Sequence, residues 1–300
     1  MFQRIVNGLS EAIKGKKEEP KRNSNKPAQV VYESNDVPLP DDFLVSPPAQ
    51  PITANLINFK DSPVPEYDGH YAVILDNVLS ASECTKLLEL SEASVADASL
   101  GEDGSPWRRA MVNVGAGYEV FTPSYRNGDR LIWDNQEIVD RIWARCLLAP
   151  GVKESLSTAI IKDPVVLGQG RYELRRDENS AMRFARVNNR MRFLKYSGGE
   201  FFRPHRDASY GEETGDGRYQ ESLFTLHLYL NDSQAEVGDA AELVGGATPF
   251  LSRDEKRRID VNPRAGRVLI FQQRGLLHSG DDVKKGVKYT MRTDIMYQLM

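Results

Sequence analysis

The sequence predicts an α+β chain, mainly β, with a barrel or jelly roll of short strands behind a helical support. Three observations lead there. From about residue 183 onward, short apolar runs ("RFARVN", "RMRFLKYS", "SLFTLHLYLND", "GGATPF", "GRVLIFQ" and "KYTMRTDIMY") are separated by Gly, Asp, Asn and Pro clusters, the punctuation of strands and turns. Two of these runs alternate between apolar and polar residues with period two. Amphipathic helical patterns, by contrast, fall upstream of them, between residues 80 and 146.

The bulk numbers bound the possibilities. A length of 300 residues suits one elaborated domain or two small ones, and 40% hydrophobic residues suffice for a full core. A net charge of −4 argues against a nucleic-acid binder held by phosphate contacts. Cys84 and Cys146, the only two cysteines, cannot frame a small disulfide scaffold and are too far apart in sequence for a metal-ligand pair. The expected setting is a reducing interior, cytoplasmic or nuclear. No apolar run is long enough to span a bilayer, and the N-terminus is expected to carry no secretory leader.

Residues 1–66 read as a flexible tail and linker. Phe2, Ile5, Val6, Leu9 and Ile13 recur at helical spacing ahead of Lys14, Lys16 and Lys17, so residues 1–17 offer a short stripe for a membrane surface or a partner; a partly helical tail explains it as well. The polar stretch after it, and Pro38, Pro40, Pro47, Pro48 and Pro51, predict extended, unpacked chain. Order is expected to begin at the apolar strand starting at Tyr71. Residues 67–182 read as a helical and irregular support region. Ser80 and Glu83 form a capping-box pattern before one helix. A second helix is expected from Asp134, with Ile138, Ile142 and Cys146 on one face. The glycine-rich stretch between them, "GAGYEVFTPSYRNGDRLIW", reads as loop or irregular β.

Residues 183–300 carry the strands and the chemistry. Phe224, Leu226 and Leu228 share one strand face, with Thr225, His227 and Tyr229 on the other; Lys288, Thr290, Arg292 and Asp294 share the polar face of the last strand. Such alternation fits a core on one side and water on the other. The alternative, which alternation alone favours less but the ligand pattern below favours more, is a strand covered by helices on its apolar side and lining a ligand cavity with its polar side. The chain holds four histidines. His205 and Asp207 stand two apart in an extended run, so both side chains point the same way and can grip one ion. His278, semi-buried among apolar neighbours, is one candidate for a third ligand beside His70, His227 and some carboxylate or cysteine. Two imidazoles and a carboxylate on one face of an octahedral ion form the facial triad of non-haem Fe(II) oxygenases. Lys288 and Arg292, cations in an otherwise apolar interior, then require an anion, because an unpaired buried charge is costly.

The blocks "LKYSGGEFFRPHRD", "SLFTLHLYLND", "GGATPF", "GRVLIFQ" and "LLHSGDDVKKGVKYTMRTDIMY", in this order, resemble the catalytic domain of Fe(II)/2-oxoglutarate-dependent dioxygenases, in the prolyl 4-hydroxylase-like branch. The resemblance spans roughly residues 185–300; "VLSASEC" and "YRNGDRLIWDN" resemble that branch more loosely. It implies a double-stranded β-helix in which His205, Asp207 and His278 bind Fe(II). It implies that 2-oxoglutarate and O2 are cosubstrates and that a C–H bond is hydroxylated, with succinate and CO2 released. Lys288 takes the position of the residue that salt-bridges the distal carboxylate of 2-oxoglutarate, with Arg292 as its rival on the same face. Tyr229 and Tyr196 match pocket tyrosines of the branch, and Thr225 and His227 line the same pocket. Arg126 and Asn127 are candidates for a lid or substrate contact. The implied substrate is a prolyl or other residue of a protein or peptide; a free amino acid or other small molecule is the alternative. The arginine pair of the nucleic-acid-demethylating branch is not matched. A jelly-roll binding or sensor module without turnover is the rival from another class.

Overall fold

The computed structural model describes residues 26–101, 103–115, 117–167 and 181–300. The helical stripe expected within residues 1–17 lies outside these residues. Two compact units are present. In the smaller, Ala28–Gln29, Tyr118–Val120 and Val112–Gly115 form a three-stranded antiparallel sheet.

The larger unit begins with strands β1 (Thr53–Leu56) and β2 (Ala72–Asp76), helix α1 (Ala81–Ala93), strands β3 (Arg126–Asn127) and β4 (Asp129–Asp134), and helix α2 (Gln136–Cys146). Its second half supplies β5 (Met182–Val187), β6 (Arg190–Tyr196), β7 (Phe201–His205), β8 (Tyr219–Tyr229) and β9 (Thr248–Leu251). There follow β10 (Arg258–Val261), β11 (Val268–Gln272), β12 (His278–Gly280) and β13 (Lys288–Leu299). The major sheet runs β1-β2-β11-β8-β13-β6-β4, with β5 also paired to β13. The minor sheet runs β10-β9-β12-β7-β3. From β6 to β13 the chain passes back and forth between the sheets: major, minor, major, two minor, major, minor, major. That alternation makes a jelly roll of the double-stranded β-helix kind.

The period-two pattern sorts the faces. Phe224, Leu226, Leu228, Met291 and Ile295 turn outward into a core shared with Cys84, Leu87 and Leu90 of α1 and Ile138, Ile142 and Trp143 of α2. The polar partners on β8 and β13 turn inward, toward the minor sheet. So the second reading of the alternation holds: helices cover the apolar side. The two helices are fastened to each other at their polar ends. Ser80 caps α1 through a bond from the Glu83 amide, and the Glu83 carboxylate accepts from the Ser80 amide at 2.7 Å. The same carboxylate pairs with Arg145 of α2 at 2.8 Å. For α2 the cap is Asn135, whose side chain accepts from Ile138 N, rather than Asp134; Asp134 ends β4 and pairs with Arg190.

Two expectations are corrected. Order sets in before Tyr71: β1 pairs with β2 in the register Thr53↔Asp76, and Phe43, Leu44 and Ile52 are buried in the helix-side core. Arg145 also donates to Ser46 O at 2.7 Å. The prolines there flank hydrogen-bonded turns at residues 41–46 in a strap that packs against the helices, an ordered use that proline's fixed φ suits as much as disorder. Second, Asp129–Asp134 is a regular strand rather than loop or irregular β, paired with β6 along its length, and its Leu131 and Trp133 are buried. These N-terminal strands extend the same sheet that the C-terminal half builds, so the major sheet runs across the expected boundary at 183.

One backbone approach is unusually close. Gly266, at φ +77°, accepts hydrogen bonds from Val78 N and Leu79 N, and a Cβ on it would stand 1.7 Å from the Leu79 carbonyl oxygen. Gly266→Ala is therefore expected to destabilise the fold by about 3 kcal/mol, through strain and forced separation of the turn before β11 from the entry to α1. Equilibrium urea unfolding, with the midpoint falling at unchanged slope, checks it.

Candidate metal centre

The minor sheet places the two histidines. Pro204 sits within β7 and lacks an N–H for the ladder, and here the register slips: Phe202 faces Gly280, while His205 faces His278. The slip sets the two imidazoles side by side, with ring centroids 4.4 Å apart. Each ring is held from behind. His205 Nδ1 lies 2.8 Å from Arg203 O, and His278 Nδ1 lies 3.1 Å from Leu276 O. A carbonyl can only accept, so each Nδ1 carries the proton and each Nε2 presents its lone pair.

The major sheet places the carboxylate. Asp207 lies two residues beyond His205, and its Oδ2 accepts from the Thr225 hydroxyl of β8 at 2.7 Å. Its Oδ1 lies 3.7 Å from Nε2 of both His205 and His278. One ligand atom from each of the three residues lies within 4.8 Å of the others. Burial pushes the His205 imidazole down to about 3, helped by the neighbouring His278, and burial lowers His278 as well. Burial alone would raise the Asp207 carboxyl, but Arg292 and the two imidazoles hold it well below the usual carboxylate range. Two neutral imidazoles and one ionised carboxylate, converging on one side and open on the other, suit a divalent first-row ion with free coordination positions.

The open side faces a cavity. Of the residues expected at the site, His205, Asp207, His278, Tyr196, Thr225, His227, Lys288, Arg292 and Arg126 line it together. The two remaining do not. Tyr229 is fully buried below the cavity, its hydroxyl 3.5 Å from Val261 O. The Asn127 side chain is taken up by Arg109, which also binds Asp129 and Glu200 at 2.8 and 2.6 Å and so anchors β3.

Lys288 and Arg292 differ in their partners. Lys288 is 2% exposed, and among the described residues no carboxylate reaches its ammonium; the aromatic rings of Tyr229 and Tyr196 lie 5.6 and 5.8 Å away. Burial pushes its ammonium down to about 8. Arg292 is already paired, with Nη1 2.9 Å from Asp207 Oδ1 and Nη2 3.5 Å from Asp294 Oδ1. Nε2 of His227 is buried without a hydrogen-bond partner.

Sequence reasoning missed several contributors. Phe202 stacks on the His205 ring at 3.7 Å between centroids, and the already expected Arg126 lies over the Phe202 ring at 4.6 Å, so the phenyl ring links the guanidinium to the metal ligand. Gly246 and Gly128 give way to pocket side chains: a Cβ would come within 3.1 Å of the Lys288 stem and 2.6 Å of the Tyr196 ring. Their signal was present as "GGATPF" and "RNGDR", where glycine marks close approach, but the neighbour it makes room for is distant in sequence.

Residues 191–293 match the 2OG-Fe(II) oxygenase superfamily. No curated protein matches the chain. Among solved structures, it is similar to a viral collagen prolyl hydroxylase from Paramecium Bursaria Chlorella virus-1, with 19% identity over 76% of this chain and 97% of that one, and a TM-score of 0.41. A Pseudomonas putida prolyl-4-hydroxylase is similar at 15% identity, 75% and 92% coverage, and a TM-score of 0.44. A Trichoplax adhaerens prolyl hydroxylase, in complex with a peptide fragment of the hypoxia inducible factor oxygen degradation domain, is similar at 15%, with 76% and 82% coverage and a TM-score of 0.44.

Thr225→Val keeps the shape of the strand but removes the donor to Asp207 Oδ2. It is expected to weaken Co(II) binding about 10-fold, the ordinary cost of losing a partner that orients a ligand. Calorimetric titration of folded wild-type and variant protein measures it.

Proposed function

We propose, for a chain that carries a domain of the 2OG-Fe(II) oxygenase superfamily, that it hydroxylates a prolyl or other residue of a polypeptide. In this reading His205, Asp207 and His278 hold Fe(II), and Lys288 binds the distal carboxylate of 2-oxoglutarate. With that cosubstrate and O2, the iron supplies the oxidation that releases succinate and CO2 and hydroxylates an unactivated C–H bond. The chain's residues bind, orient and shield. Thr225 holds the outer oxygen of Asp207, and the backbone carbonyls of Arg203 and Leu276 keep both imidazoles in the ligating tautomer. Phe202 covers His205 against solvent.

The observation that carries this reading is the buried Lys288 ammonium, turned into the cavity that holds the triad and lacking an anionic partner there. A buried cation is retained at a cost unless a ligand anion satisfies it. Arg292 is the weaker candidate for that anion, because Asp207 and Asp294 already neutralise it. A polypeptide substrate is favoured by β3, which ends the minor sheet beside the cavity mouth and leaves one edge without a strand among the described residues. An extended segment can add to such an edge through main-chain bonds. Tyr125, Phe202 and the stacked Arg126 give it an aromatic, cationic rim.

Turnover and cosubstrate affinity test the reading. With Fe(II), 2-oxoglutarate, O2 and a proline-containing peptide library, the wild type is expected to form succinate and to add one oxygen to a peptide. Folded His205→Ala should form neither; turnover retained there would remove the triad from the chemistry. Lys288→Ala should raise the 2-oxoglutarate concentration needed for half-saturation about 100-fold, as expected for truncating a buried charge partner. In the wild type, Lys288 carries its charge below about 8. Above that pH the free protein must take up a proton to bind the anion, so 2-oxoglutarate affinity is expected to fall about tenfold per pH unit. Flat affinity from pH 7 to 10 would point away from Lys288.

A further inference from the structure

We propose that Arg292 is a built-in counter-cation that competes with the metal for Asp207. The inference rests on His205, Asp207 and His278 being the ligands. The two oxygens of Asp207 have separate duties. Oδ2 is taken by the Thr225 hydroxyl at 2.7 Å. Oδ1 is the oxygen that faces both Nε2 atoms, at 3.7 Å from each. Arg292 Nη1 donates to this same Oδ1 at 2.9 Å. An ion held by the triad and the guanidinium therefore address one oxygen.

Arg292 is not free to leave. Its Nη2 pairs with Asp294 Oδ1 at 3.5 Å and reaches the Thr225 hydroxyl at 3.4 Å. Asp294 is fixed in turn, accepting from Arg192 at 3.0 Å on one oxygen and from Gln273 at 3.0 Å on the other. Asp294 lies on the inner face of β13 two residues beyond Arg292, so strand geometry turns both side chains the same way. A cation anchored beside a ligand oxygen has two effects of opposite sign. It stabilises the buried Asp207 carboxylate when no ion shares it, since a lone buried charge is strongly destabilising. It also opposes a divalent cation at the same oxygen by like-charge repulsion, which is strong in a poorly solvated site. The metal site is thereby preformed and at the same time kept from binding its ion as tightly as its donor set would.

The sign of the effect separates this role from ordinary support. Loss of a group that merely orients a ligand weakens metal binding, by about 10- to 100-fold. Here, Arg292→Gln should tighten Co(II) binding by about tenfold or more, while lowering the thermal midpoint in chelator and restoring it when Co(II) is added. Arg292→Lys keeps the charge and should stay within about threefold of the wild type. Co(II) titrations followed by calorimetry and by the visible ligand-field bands give these affinities without turnover. Unchanged or weaker binding in Arg292→Gln, with the wild type binding Co(II), overturns the inference alone. Tightening in Arg292→Lys overturns it too, and this holds even if the glutamine variant fails to fold. If neither wild type nor variants bind Co(II), the proposed function falls with it.

Discussion

A single buried carboxylate ties the two sheets together at the point where the chemistry sits. Asp207 follows the minor-sheet strand that carries His205, yet its oxygens are held by Thr225 and Arg292 from the major sheet. A carboxylate this buried, 8% exposed, is tolerable only if every side of it is answered. The answering groups in turn need fixed positions. Thr225 and Arg292 belong to adjacent strands paired without a shift from Phe224 to Tyr229, and the register of β8 against β13 puts Thr225 opposite Asp294 and His227 opposite Arg292. The outer faces of those strands are locked by α1 and α2. The helical layer therefore serves the site at one remove: it buries the apolar half of each strand so that the polar half can face inward.

Much of this was legible because strand side chains alternate strictly. Once Phe224, Leu226 and Leu228 are assigned to one face, Thr225 and His227 must share the other, and Lys288 with Arg292 follow on β13. Alternation could not say which face met water; the His-x-Asp pair and the stranded cations decided it. Tyr229 shows the limit of the same logic. It lies on the inner face as periodicity requires, but depth along the strand is a tertiary quantity, and its ring is packed into a buried cluster with Phe250, Leu269 and Phe271. Arg292 shows another. It shares the inner face of the strand with Lys288, and spacing, which favoured Lys288, could not show that Asp207 and Asp294 stand beside Arg292.

The N-terminal half was less legible. Proline spacing carries the same signal in a disordered linker and in a strap that packs, and the partners of that strap, Arg145 above all, are about a hundred residues away in sequence. The short strands β3, β10 and β12 are likewise set by their neighbours in the minor sheet rather than by their own composition.

The register slip at Pro204 has a consequence for how such a chain can vary in length. His205 meets His278 because three residues of β7 span the distance of two on β12. Losing or gaining one residue between Phe202 and His205 would turn the imidazole to the opposite face, with no partial compensation available. The connection from Tyr210 to Tyr219, by contrast, is largely exposed and ends in a hairpin onto β8, so its length is coupled to neither ligand. Lineages of this architecture can therefore lengthen or trim that hairpin while the few residues around Pro204 admit no insertion or deletion, and the strand and the hairpin, though neighbours in sequence, diverge under different rules.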